Sequence, residues 1–147
     1  LDCLECLVET TRLLVPVRDL RRVAECAVTA PPPRSQPWIG GLALVDGSVC
    51  VSLALPGRPK GPLVTKGLLL ETADKAFRYL VQVDEVRSLW TVSSPGPTAQ
   101  RPPWACPPSW LLASAEGSES VLCLDTDALA AWLVEPRGAE PAGLSAA

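Results

Sequence analysis

Asp46-Gly47-Ser48-Val49-Cys50-Val51-Ser52-Leu53-Ala54-Leu55 carries the strongest structural signal in the chain. Asp-Gly supplies the two positive φ values that a tight hairpin turn requires. Beyond the turn, Val49, Val51, Leu53 and Leu55 recur at period two, the spacing of one face of a β-strand. Before it, Trp38 to Leu44 is apolar and contains Gly40-Gly41, which predicts a strand with a bulge or a close backbone approach.

Working outward, the same grammar repeats. Leu4 to Glu9 and Leu13 to Val17 are apolar runs separated by Thr10-Thr11-Arg12, a first hairpin. Arg18 to Val23 mixes charge with apolar residues and either continues the strand or bends out of it. Ala30 to Pro37 is a proline-rich loop, because prolines lack ladder donors. Pro56 to Pro62 is a Gly/Pro/Lys linker. Leu68 to Thr72 and Ala76 to Val83 flank a turn at Ala73-Asp74-Lys75, and Arg87 to Val92 is a further strand. Ser93 to Pro108 is a long proline-rich loop. Trp110 to Ala115 and Ser120 to Leu124 flank a turn at Glu116-Gly117-Ser118. Asp125-Thr126-Asp127 caps a short helix, Ala128 to Val134, which Pro136 ends; Arg137 to Ala147 is a frayed tail. Short strands at regular spacing with one closing helix predict an all-β chain. The linker divides the strands into two similar groups, which points to two small barrels.

Composition excludes several classes. A length of 147 residues fits one domain or two fused lobes, and 48% hydrophobic with 20% charged residues supports a folded core. The net charge is -3 and no basic run exceeds Arg21-Arg22, so no nucleic-acid footprint is expected. No apolar run approaches the roughly 18–20 residues of a membrane-spanning helix. Leu1-Asp2-Cys3-Leu4-Glu5 has two acids and no basic region, unlike a signal peptide, so a cytoplasmic location is expected. The initiator Met is absent.

Chemistry is equally sparse. No histidine occurs, which removes the commonest general base and most metal sites. The six cysteines sit largely in strand-like apolar runs (Val49-Cys50-Val51, Leu122-Cys123-Leu124), where a reduced thiol acts as a small buried hydrophobe. Cys3 and Cys6 form a single C-x-x-C without a second pair, and residues three apart on a strand face opposite ways, so no metal is expected. Asp125 and Asp127 read as helix capping rather than acid–base partners. Trp38, Trp90, Trp104 and Trp110 lie at strand or loop edges; core or loop-anchoring roles are favoured over partner contact. A non-enzyme is expected.

The order of elements from about Leu4 to Val134 resembles the CheW-like domain of chemotaxis adapters and kinase regulatory domains. The family stretch Pro-x-(apolar)-x-Gly-(apolar)-x-Asn-Leu-Arg-Gly-x-(apolar)-x-Pro-(apolar)-(apolar)-Asp-Leu is similar to Pro37-Trp38-Ile39-Gly40-Gly41-Leu42-Ala43-Leu44-Val45-Asp46-Gly47 and on through Leu55. The family's (apolar)-Val-Asp-x-Val resembles Gln82-Val83-Asp84-Glu85-Val86, and its closing strand, acidic turn and helix resemble Val121 to Leu129. The resemblance implies two five-stranded SH3-like barrels packed together, with a short C-terminal helix. The first barrel would span about 10–58 and the second about 63–127, with closing helix 128–134, a domain of 1–136 and a flexible tail of 137–147. It implies no cofactor and no catalysis. One lobe would meet the regulatory domain of a CheA-type histidine kinase. The groove between lobes would take the signalling tip of a chemoreceptor, a methyl-accepting protein, on Leu20, Arg22, Val23, Asp46, Val86 and Leu89.

The chain departs from the family pattern at charged positions. Glu is usual where Arg22 stands, and Arg where Asp46 stands, so Arg22 and Asp46 either face each other across the groove in a salt bridge with swapped signs or stand as independent surface charges. Ala54 and Ala43 replace the usual Asp and Asn, which points to a divergent chemosensory pathway. Two rival readings remain from the residues: a CheW-like regulatory fragment of a larger signalling protein, and a small β-barrel thiol enzyme or ligand carrier.

Overall fold

The computed structural model describes residues 1–31, 33–57, 63–116 and 119–134. Its strands are β1 (Asp2–Val8), β2 (Thr11–Pro16), β3 (Leu20–Val28), β4 (Ile39–Val45), β5 (Ser48–Leu53), β6 (Leu63–Glu71), β7 (Arg78–Val83), β8 (Glu85–Thr91), β9 (Leu111–Glu116) and β10 (Glu119–Leu124), followed by helix α1 (Thr126–Val134). Most of the linker (58–62), part of the last turn (117–118), and Pro136 with the tail lie outside the described residues.

The all-β expectation holds, with two five-stranded units and one short helix. One unit is a closed barrel in the order β3-β4-β5-β7-β6, and the other is a sheet in the order β8-β1-β2-β10-β9.

The strands are shared differently from the sequential division at the linker. Strands β3 to β7 build the barrel, while β1, β2, β8, β9 and β10 build the sheet. The physical reason is long-range pairing. β6 pairs antiparallel with β3 from Leu20↔Leu70 to Val28↔Leu63, β5 pairs in parallel with β7, and β2 pairs in parallel with β10. A proline-rich connection interrupts a strand, but it says nothing about which sheet the next strand joins. The chain crosses between units at the 3₁₀ turn Val17–Asp19 and at Asp84, whose N–H donates to the Leu7 carbonyl at 2.9 Å.

Local expectations fare better. Asp46 and Gly47 both have positive φ (51° and 80°), the backbone of a type I′ hairpin turn. The register shift between Ile39 and Gly41 is the expected bulge. Asp125 caps α1, its carboxylate accepting from the Ala128 N–H at 3.0 Å.

Burial separates three cores. Val28, Ala43, Val45, Cys50, Leu69 and Leu80, all on barrel strands, fill the barrel interior. Cys3, Leu14, Val92, Val121 and Cys123 pack on one face of the sheet. The largest core is shared between units: Leu4, Cys6, Leu13 and Val15 from the sheet meet Leu53, Leu68, Leu70, Tyr79 and Val81 from the barrel. Strands β6 and β7 are therefore buried on both faces, which is why Leu68-Leu69-Leu70 and Tyr79-Leu80-Val81 are continuous apolar runs. The period-two set of β5 does not line the barrel. Val49 is 69% exposed on the outer face, whereas Leu53 and Leu55 farther along are buried in the shared core. Small Cys50 and Ser52 face inward instead, where Ser52 Oγ accepts from Gln82 Nε2 at 2.8 Å.

Candidate functional site

The six sequence-derived residues fall on both units. Leu20, Arg22 and Val23 lie on β3, Asp46 on the β4–β5 turn, and Val86 and Leu89 on β8. Directly opposite residues in an antiparallel pair share a face. Leu20 is paired with Leu70, Val23 with Leu68, Val86 with Cys6 and Leu89 with Leu4. All four partners belong to the shared core. Leu20 and Val86 pack against that core half-buried, while Val23 and Leu89 remain exposed, Leu89 to 72%. The four thus continue one core outward on to solvent, two from the barrel and two from the sheet edge β8.

Arg22 departs from this set. The register shift between Leu20 and Arg22 places Arg22 opposite Leu69, a barrel-interior residue, so its side chain leaves the face used by Leu20 and Val23. It meets Asp46 in a bidentate pair, with Nη2 to Oδ1 at 2.7 Å and Nε to Oδ2 at 3.2 Å. Of the two readings the ion pair is the one present, but both partners belong to the barrel, so it does not span the two units. Both groups are about half exposed, so the pair stabilises the fold by only about 0–1 kcal/mol. Its geometric effect is to tie the β4–β5 turn to β3. A double-mutant cycle of Arg22→Ala and Asp46→Ala, read by urea unfolding, is expected to give a coupling of that size. Coupling above about 2 kcal/mol would contradict the solvent-screened geometry.

Sequence reasoning missed the buried carboxylate of Glu5. It sits on β1, 5% exposed, where it accepts from Arg12 Nε at 2.6 Å and Trp90 Nε1 at 3.0 Å, with Ser88 Oγ at 3.5 Å. The Arg12 guanidinium also stacks 5.4 Å from the Trp90 ring centroid. Burial pushes the Glu5 carboxyl up, but the hydrogen bonds from Arg12 and Trp90 and the charges of Arg12 and Arg87 outweigh it and hold it below its ordinary value. A depressed carboxyl stabilises the fold above the ordinary carboxylate range, and that stabilisation is lost as pH falls through the lowered value. Arg12→Ala strands the carboxylate and is expected to cost about 1–3 kcal/mol at neutral pH. The deficit should narrow at pH 4, where the stranded group protonates; chemical unfolding at both pH values checks it, and a constant deficit would contradict this role. The only sequence signal was an acid at an otherwise apolar strand position, with its cation seven residues along the hairpin.

Five of the six cysteines are buried, as their strand-like apolar surroundings predict, and Cys26 is half-buried. No disulfide or potential metal cluster occurs among the described residues. Cys3 and Cys6 enter different cores, as their spacing on a strand requires. Burial raises the Cys6 thiol to about 12 and the Cys106 thiol to about 11, which suppresses thiolate chemistry at neutral pH.

Of the tryptophans, Trp110 is core and Trp90 is committed to Glu5. Trp38, Trp110 and Trp132 form an edge-to-face triangle with centroids 5.2–6.3 Å apart. Trp132, on α1, completes a cluster that the strand pattern did not anticipate. Leu42, Leu44 and Val49 add an exposed apolar face on the outside of β4–β5, with Leu44 directly opposite Val49. Among the described residues no helix is long and apolar enough to cross a membrane.

No family model and no curated protein sequence matches the chain. Among solved structures it is similar to the scaffolding protein TtCheW from Thermoanaerobacter tengcongensis, with a TM-score of 0.61 over 84% of this chain and 82% of that one, at 9% identity. That likeness is one of fold.

Proposed function

We propose that residues 1–136 form a non-catalytic, cytoplasmic CheW-like adapter that couples a chemoreceptor signalling tip to the regulatory domain of a CheA-type histidine kinase. The observation that carries the reading is that Leu20, Val23, Val86 and Leu89 each lie opposite a member of the core the two units share, with Val23 and Leu89 exposed. A helical hairpin presents apolar side chains at regular spacing and can extend such a core. The Arg22–Asp46 pair holds the β4–β5 turn and presents a charged rim that discriminates between partners. Leu42, Leu44 and Val49 provide a second apolar face, as an adapter with two partners requires. The fold-level likeness to a scaffolding protein over most of the chain supports the same reading.

Isothermal titration with a receptor-tip hairpin fragment, and separately with a kinase regulatory domain, tests this directly. Leu89→Glu and Val23→Glu, at exposed positions that leave the core intact, are expected to weaken the receptor fragment at least about tenfold, the scale of a lost apolar anchor. Absence of binding to both partners, or unaltered receptor binding by both variants, would refute the proposal.

A further inference from the structure

A cavity of about 370 Å³ lies where the long loop before β9 folds over the start of β4, and Trp38, Trp104, Pro102, Pro107, Leu111 and Arg101 line it. This volume falls in the range of small-molecule sites, which are concave, mostly apolar and furnished with a few polar groups. Its walls are held by backbone bonds rather than by chance packing. Cys106 N–H donates to the Leu55 carbonyl at 3.1 Å, tying the loop to the barrel, and Trp110 N–H donates to Pro107 at 3.1 Å. Ala54 N–H donates to the Trp38 carbonyl at 2.8 Å, fixing the other wall.

The indole N–H groups of Trp38 and Trp104 are buried without a hydrogen-bond acceptor among the described residues, so the two rings line the cavity with carbon rather than with their N–H. Arg101 at the mouth makes no ion pair among the described residues, and the lining contains no carboxylate. Other cavities differ. The larger one, 520 Å³, is lined by Glu9 and Asp84, and in a third the cation Arg18 is already paired with Asp127. Two aromatic walls and a guanidinium that makes no ion pair among the described residues together define a complementary ligand: flat and apolar at one end, anionic at the other.

We propose that this cavity binds a small aromatic carboxylate, its ring against the tryptophan and proline walls and its carboxylate on Arg101. The site is distinct from the partner-docking residues, so it offers the module a ligand input independent of them.

The test displaces a fluorescent apolar anion, anilinonaphthalene sulfonate, with phenylacetate, phenylacetamide and benzylammonium, and repeats phenylacetate binding by calorimetry. Phenylacetate is expected to bind at least about tenfold more tightly than the neutral amide, and the cation not to compete, because charge-assisted contacts carry the selectivity. Arg101→Gln, at an exposed position, is expected to abolish the preference for the carboxylate while leaving the melting temperature unchanged. Trp104→Leu keeps an apolar wall, removes the aromatic face and is expected to weaken phenylacetate. Failure of phenylacetate to bind, equal binding of all three compounds, or an Arg101→Gln variant that keeps the preference would each overturn the proposal.

Discussion

Gly41→Ala is expected to cost about 3–5 kcal/mol, a large part of the roughly 5–15 kcal/mol that holds a domain of this size together. Gly41 has φ +135°, which L side chains rarely adopt, and a Cβ there would run into the carbonyl oxygen of Thr29 while lying 2.9 Å from Val28 Cγ1. The obstacle is backbone, so rotating a side chain cannot relieve it. The location magnifies the effect. β3 and β4 meet through the single ladder pair Val28↔Ala43, supported by the Thr29 N–H to Leu42 carbonyl bond at 2.9 Å. Moving Thr29 breaks the narrowest seam of the barrel. Gly47→Ala is the control: its φ is also positive, yet nothing lies within 4 Å, so it should cost only about 1–2 kcal/mol. Urea unfolding of both variants, with hydrogen exchange at Thr29 and Leu42, separates backbone strain from collision. Equal costs for the two would show that the close approach has no energetic weight.

Trp110→Ala is expected to cost about 3–5 kcal/mol, the range for deleting a buried large aromatic. Trp110 is 2% exposed and sits between Trp38 (5.6 Å, 79°) and Trp132 (5.2 Å, 66°). Each edge-to-face pair adds about 0.5–1.5 kcal/mol beyond area burial, which places this change toward the top of the range. Its carbonyl also accepts from Asp125 N–H at 2.6 Å, immediately before α1, so the ring and the backbone together seat the helix. Near-ultraviolet circular dichroism should lose the tryptophan couplet. Trp132→Ala should cost much less in the Trp110→Ala background than alone, because its main partner is already gone. Strict additivity would mean that the three rings do not act as a unit.

The Arg22–Asp46 pair shows how far residue-level reading reaches. The family resemblance leaves open whether these two opposite charges meet, and they do. Where they meet did not follow. A one-residue register shift turns Arg22 away from the face of Leu20 and Val23, and no composition or periodicity reports such a shift. Glu5 was illegible for a related reason. Its three donors come from β2 and β8, the strands that flank β1, and Trp90 is remote from it in sequence. The proposed docking positions Leu20, Val23, Val86 and Leu89 rest on resemblance alone; what unites them physically is that each lies opposite a member of one core.

The amino-acid order by itself determined the strand-rich character, the Asp46-Gly47 turn, the bulge at Gly41, the Asp125 cap and the absence of histidine chemistry. Each of these is encoded in a few neighbouring residues, through φ preference, side-chain alternation or the simple lack of a functional group. Only the tertiary structure decided which strands share a sheet, that the linker does not divide the two units, and which side chains Trp132, Glu5 and Arg22 meet. Those outcomes depend on pairings between strands far apart in the chain, such as β2 with β10 and β3 with β6. Such pairings are selected by how well whole faces bury one another, a quantity that no short stretch of residues contains.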